Sequence, residues 1–237
     1  MVILAFETSA KAASAALLRD GALVAEYFQN SGQTHSRTVM KLAQDMLENC
    51  DCTAGDVDAV AYANGPGSFT GVRIGAAAAK GFCWGRDIPC LPVSTLEAMA
   101  HNLDAAEGIV CCCMDARRQQ VYNALFSVCQ GSLTRLTPDR AISLEELGTE
   151  LAAYDRPVFA VGDGAKLCCQ SLGQTLPRLR LTPEQFCQQR ASGVALAGWQ
   201  AAQAGGLVSA AAVAPNYLRL SQAERERLAR EQHNEGE

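Results

Sequence analysis

The chain has 237 residues, of which 49% are hydrophobic and 19% charged, so it can bury one large core or two modest ones. No stretch approaches the ~18 apolar residues that suggest a membrane span. Its net charge of −5 argues against a protein that holds nucleic acid by itself, because affinity for the phosphate backbone comes mainly from Lys and Arg. If RNA is involved, a partner is expected to hold it. The apolar start Met1-Val2-Ile3-Leu4-Ala5-Phe6 has no basic leader and meets Glu7 at once. It reads as a first strand rather than a signal peptide, and the cytoplasm is the expected compartment.

The pattern predicts strands over residues 2–6, 13–19 and 22–28, with Asp20-Gly21 at the turn between the last two. A helix over 36–49 carries Val39, Met40, Leu42, Ala43, Met46 and Leu47 at helical spacing. A strand over 58–63, a glycine-rich loop with a helix running to about 86, and an extended segment over 90–93 follow. Ser94-Thr95-Leu96-Glu97 supplies a capping box for the next helix. The order then restarts: strands over 109–114, 121–129 and 133–136, a helix over 144–153, a strand over 158–161, a helix over 184–204 and a charged helix over 222–232. Glu7 and Asp115 end the first strand of each half. A duplicated unit of this order is the plan of the actin, sugar kinase and Hsp70 superfamily: an α/β, two-lobed, ribonuclease H-like fold with mixed central sheets flanked by helices. The expected division is a first lobe over 1–104, a second over 105–208, and a C-terminal segment over 209–237 that returns to the first lobe.

The loop Asn64-Gly65-Pro66-Gly67-Ser68-Phe69-Thr70-Gly71 opens a helix whose Gly71, Gly75, Ala76, Ala77, Ala78, Ala79 and Gly81 leave little bulk on any face. Something is expected to pack very close to it. The loop lacks the Gly-Lys-Ser/Thr ending of a phosphate loop, since Val72 and Arg73 follow Gly71. In a two-lobed fold, Glu7-Thr8-Ser9 and Asp115-Ala116-Arg117 occupy the places of the two phosphate hairpins, with Gly162 and Gly164 near the adenosine side. Neither hairpin contains glycine, so the site is expected to be at most a vestigial nucleotide cleft. Glu7 and Asp115 read more readily as strand-ending carboxylates than as a cation site. His35 is followed four residues later by Val39, and His101 and His233 have no histidine neighbours, so no helical metal pair exists. No Gly-x-Ser-x-Gly nucleophile elbow occurs. The eleven cysteines lack paired zinc spacing; Cys111, Cys112 and Cys113 alternate across a strand and cannot easily chelate one ion together, so reduced thiols used as small buried hydrophobes are expected.

The run Gly65-Pro66-Gly67-Ser68-Phe69-Thr70-Gly71-Val72-Arg73-Ile74-Gly75, with Asp87-Ile88-Pro89, Val93-Ser94-Thr95-Leu96, Asp115-Ala116-Arg117 before Val121-Tyr122, and Pro215-Asn216-Tyr217-Leu218-Arg219, resembles the TsaB (YeaZ) family in order and across almost the whole chain. The family resembles the catalytic TsaD but lacks its metal-binding histidines, as this sequence does. The resemblance implies a non-catalytic scaffold that binds TsaD and, with the ATPase TsaE, supports threonylcarbamoyl transfer to the adenosine beside the anticodon in tRNAs reading ANN codons. It implies a partner interface of Val39, Met46, Leu47, Gly71, Arg73, Gly75, Ala78 and Ala79. It also implies homodimers when TsaD is absent, no cofactor required by this chain, and room for ATP or ADP at the heterodimer seam. Leu at Gly75 or Ala79 is then expected to block partner binding while leaving the monomer folded, and Glu7→Ala to have little effect on modification. The alternatives are a free-standing ATP-dependent transferase or kinase of the same fold and, last, a peptidase.

Overall fold

The computed structural model describes residues 1–219, which leaves the expected helix over 222–232 outside the described residues. Strands β1 (Val2–Glu7), β2 (Ala13–Arg19), β3 (Ala22–Gln29), β4 (Ala59–Gly65) and β5 (Cys90–Ser94) form a first sheet in the order β3-β2-β1-β4-β5. β1 is antiparallel to β2 and parallel to β4, with Glu7 opposite Ser14 at the end of the ladder. Side chains alternate across β1, so Leu4 and Phe6 face one layer while Ile3 and Ala5 face the other. Both faces are covered, which is why β1 is apolar throughout its middle rather than alternating with polar residues.

On the Leu4–Phe6 face lie helices α1 (His35–Asn49) and α2 (Phe69–Cys83). Helix α2 ends three residues earlier than expected: Trp84 leaves the helical region at ψ 129° and Gly85 turns at φ +78°. After β5, α3 (Thr95–Ala100) starts at Ser94, whose hydroxyl accepts from Glu97 N.

The second sheet repeats the first. It contains β6 (Gly108–Asp115), β7 (Gln120–Cys129), β8 (Ser132–Arg135), β9 (Arg140–Ser143), β10 (Val158–Val161) and β11 (Leu179–Leu181), ordered β11-β10-β6-β7-β8 with β9 on β7. β6 is antiparallel to β7 and parallel to β10, as β1 is to β2 and β4. Helices α4 (Leu144–Leu151) and α5 (Ala165–Leu172) cover one face. Strands β9 and β11 and helix α5 go beyond the sequence expectations; two of them have four residues or fewer, too short for a periodic signal.

The single helix expected over 184–204 is two: α6 (Glu184–Cys187) and α7 (Ala191–Gln203), separated by extended backbone at Gln188 and Arg190. The break is fixed by tertiary caps. Ala191 N donates to Ser14 Oγ at 2.8 Å, Ser192 N to Glu26 Oε1 at 3.0 Å, and the Arg190 guanidinium pairs with Glu26 while lying over the Phe28 ring. These contacts also correct the lobe boundary. Helix α7 packs against the first sheet on Ile3, Ala5, Leu18, Ala61 and Leu91, whereas α3 packs against β6 and β7 of the second through Leu96, Met99 and Ala100. Each lobe is therefore completed by a helix from the other half of the chain, and the return to the first lobe begins at residue 191 rather than 209. Among the described residues no helix is long and apolar enough to cross a membrane.

Candidate functional site

A cleft of about 600 Å³ opens between the lobes, walled by Ser9, Ser68, Asp115, Arg117, Asp163 and Arg219 among others. The ends of β1 and β6 meet there, as parallel strand ends do at the edge of an open α/β sheet. Glu7, the last residue of β1, is fully buried. One carboxyl oxygen accepts from Ser9 N at 2.5 Å and the other has no partner. Burial pushes its pKa up to about 7, opposed by the Ser9 hydrogen bonds and reinforced by the charge of Asp163. Asp163 is reached by solvent, yet the concave cleft desolvates it enough to raise its carboxyl above the ordinary range. Gln189 Nε2 donates to Asp163 Oδ1 at 3.0 Å. Near neutrality the buried Glu7 carboxyl thus titrates beside Asp163, which lines the cleft.

The first hairpin offers little to a phosphate. Ser9 N is taken by Glu7, Ser9 O accepts from Ser68 N at 2.6 Å, and Thr8 Oγ1 donates to Gly71 O at 2.7 Å. In the second, Arg117, Arg118 and Gln119 all adopt left-handed backbone, at φ +63°, +55° and +58°. Three such residues without glycine are a strained arrangement. It is held by Arg117 N on Asp115 Oδ1 at 2.7 Å, Leu144 N on Gln119 O at 3.1 Å and Arg219 Nη1 on Ala116 O at 2.9 Å. Asp115 and Arg117 are exposed at its rim. Gly162 and Gly164 have a packing role: a Cβ would lie 2.2 Å from Cys113 O at the first and 2.9 Å from Met114 C at the second. They let the β10–α5 turn close on the end of β6.

The predicted interface residues divide. Val39, Met46, Leu47, Gly71, Gly75 and Ala79 are buried inside the first lobe. The small residues of α2 therefore serve close packing within the chain: a Cβ at Gly71 would lie 2.1 Å from Thr8 O, and one at Gly75 2.7 Å from Thr8 Oγ1. This corrects the expectation that Leu at Gly75 or Ala79 would spare the monomer. Ala78 is half-buried and Arg73 exposed. Arg73 Nε donates to Tyr217 Oη at 2.7 Å, and its guanidinium lies 4.3 Å from the Phe69 ring centroid. Phe69 and Tyr217 stack at 4.2 Å and 12°. With Asn216 N on Asn64 O at 2.6 Å, this clamp seats the C-terminal segment over the start of α2. The expected return of the C-terminal segment to the first lobe thus runs through Tyr217, and nothing in the sequence pattern marks Phe69 as its partner. Tyr217→Ala is expected to lower stability by about 1–2 kcal/mol through loss of the stack and the cation–π contact, read as a lower urea midpoint; an unchanged midpoint contradicts the clamp.

Two sheets of one topology, helices exchanged between them and a carboxylate ending each first strand define a two-lobed protein of the actin-like ATPase fold. The family model for TsaD, tRNA N6-adenosine threonylcarbamoyltransferase, matches residues 25–226. The tRNA threonylcarbamoyladenosine biosynthesis protein TsaB of Bacillus subtilis is 37% identical over 228 residues, 94% of this chain and 96% of the relative. A tRNA N6-adenosine threonylcarbamoyltransferase of Streptococcus mutans is 32% identical over 123 residues, 45% of this chain and 36% of the relative. The solved structure of YeaZ from Pseudomonas aeruginosa superposes with a TM-score of 0.74 at 25% identity, covering 92% of this chain and 99% of that one. The chain belongs to the TsaB (YeaZ) family.

Proposed function

We propose that this chain works in tRNA threonylcarbamoyladenosine biosynthesis as a non-catalytic cytoplasmic subunit. It binds TsaD and, with TsaE, supports threonylcarbamoyl transfer to the adenosine beside the anticodon, contacting tRNA only within the complex. One observation carries the reading within this family: the residue one helical turn after His35 is Val39, 1% exposed in the core of the first lobe, while His35 Nε2 lies 2.7 Å from Ala10 O. A metal between the lobes therefore has no histidine pair to hold it on α1. The hairpins support the same reading, since the Ser9 amide is engaged within the chain and the second loop presents arginines in place of glycine.

The proposed partner surface is the exposed side of α1 and α2, with Met40, Arg73 and Ala78, and the buried Val39, Met46, Leu47, Gly71, Gly75 and Ala79 shape it from beneath. ATP or ADP binds at the seam with TsaD rather than as a cofactor this chain requires. The isolated chain pairs with itself through the same surface. Reconstituted transfer to tRNA with the chain present or omitted tests the reading.

A further inference from the structure

Strand β6 and helix α5 bring three sulfurs together in the second lobe. Cys111 and Cys113 are two residues apart on β6 and share a face, with their Sγ atoms 3.5 Å apart. Cys112 points to the opposite face. Cys168 on α5 completes the group, and all three Sγ atoms lie within 4.8 Å of one another with no exposed surface. Around them the layer is mostly aliphatic, with Tyr154 packed against it. Asn123 is fully buried, and its Nδ2 donates to Cys112 O at 2.9 Å and to Cys111 Sγ at 3.5 Å. Its Oδ1 accepts from Arg140 Nη2 at 3.0 Å. An amide donor on sulfur, backed by a guanidinium, offsets negative charge that gathers on these sulfurs.

We propose that Cys111, Cys113 and Cys168 form a buried three-sulfur site for a soft monovalent metal ion, copper(I). Thiolate sulfur selects soft ions, and structural zinc takes four ligands. Among the described residues no fourth His, Cys, Asp or Glu joins the three, and Asn123 turns its Nδ2 donor to Cys111 and its Oδ1 to Arg140, so its amide oxygen is not free to act as a fourth ligand. Coordination replaces S–H bonds by S–Cu bonds, and the displaced protons leave to solvent. No electron is transferred when the metal arrives as copper(I). The site is closed, so loading accompanies folding or an opening of α5 from β6.

The test uses the full chain carrying Cys50→Ser, Cys129→Ser and Cys169→Ser, which removes the exposed and half-buried thiols. The reduced protein is refolded, or incubated native, with copper(I) under anaerobic competition from a chromophoric chelator. One equivalent retained by this protein and by its Cys83→Ala/Cys90→Ala derivative, but lost on Cys168→Ala or Cys111→Ala, supports the site. Asn123→Ala is expected to weaken retention roughly 10-fold. X-ray absorption of the loaded protein keeps the proposal falsifiable where a variant fails to fold, and it should count three sulfur neighbours. No retained copper after refolding, retention unaffected by loss of Cys168, or a two-sulfur environment overturns it and leaves the three thiols as packing groups.

Discussion

Gly71→Ala lowers the stability of this chain by roughly 1–3 kcal/mol, although alanine is the better helix former by about 1 kcal/mol. The new Cβ would lie 2.1 Å from the carbonyl oxygen of Thr8, and that carbonyl cannot retreat easily. Thr8 directly follows β1, whose register is fixed on one side by β2 and on the other by β4. The effect is graded along the helix. At Gly75 the obstacle is the Thr8 hydroxyl at 2.7 Å, which can rotate at the cost of its hydrogen bond to Gly71 O. Gly75→Ala therefore costs less than Gly71→Ala, and Leu at either position costs more than Ala. Urea midpoints of the four variants check the order, and a Gly71→Ala protein as stable as the parent contradicts the account of α2.

Glu7→Gln stabilises the protein at pH 8 and changes little near pH 4. The carboxyl titrates at about 7 when folded, above its usual 4.5, so the folded chain holds this proton more tightly than the unfolded one. The stabilising contribution is complete below the unfolded value and is lost as pH rises through the folded value. Across that window the loss is about 3 kcal/mol as an upper bound. Glutamine keeps an acceptor for Ser9 N and removes both the desolvated charge and its repulsion with Asp163. The difference in unfolding free energy between parent and variant, followed from pH 4 to pH 9, isolates Glu7 because other groups titrate in both proteins. A flat difference contradicts the buried, partnerless geometry of that carboxyl.

Much of the fold was legible because both sheets are covered on two faces, and the central strands β1, β2, β6 and β7 have six to ten residues. The apolar runs at 2–6 and 109–114, each ending in a carboxylate, were enough to expose the duplication. What escaped were features that exist only through tertiary contact. The break at Gln188–Arg190 depends on Ser14 and Glu26 capping α7 from strands more than 160 residues earlier in the chain. Nothing between 184 and 204 announces it locally. The small residues of α2 were read as a sign of close packing, and close packing is what they provide, but against Thr8 of the same chain. Glycine spacing specifies an approach without specifying what approaches.

The cleft was only partly legible. Glu7, Asp115, Gly162 and Gly164 do lie at its walls or beneath them. Asp163 stood between two of them in Gly162-Asp163-Gly164, and its flanking glycines were the available signal. Gln189, which orients it, has none. The sulfur cluster shows the same limit, because Cys168 meets Cys111 and Cys113 through the adjacency of α5 and β6, which spacing along the chain does not reveal.

The most direct measurement is threonylcarbamoyl transfer to tRNA in a reconstituted mixture of TsaD, TsaE, tRNA, ATP and threonylcarbamoyl-adenylate, with this chain present or omitted. A non-catalytic subunit predicts that omission stops transfer while the chain alone neither modifies tRNA nor consumes ATP. Transfer that proceeds without it, or tRNA modification or ATP turnover by the isolated chain, contradicts that role.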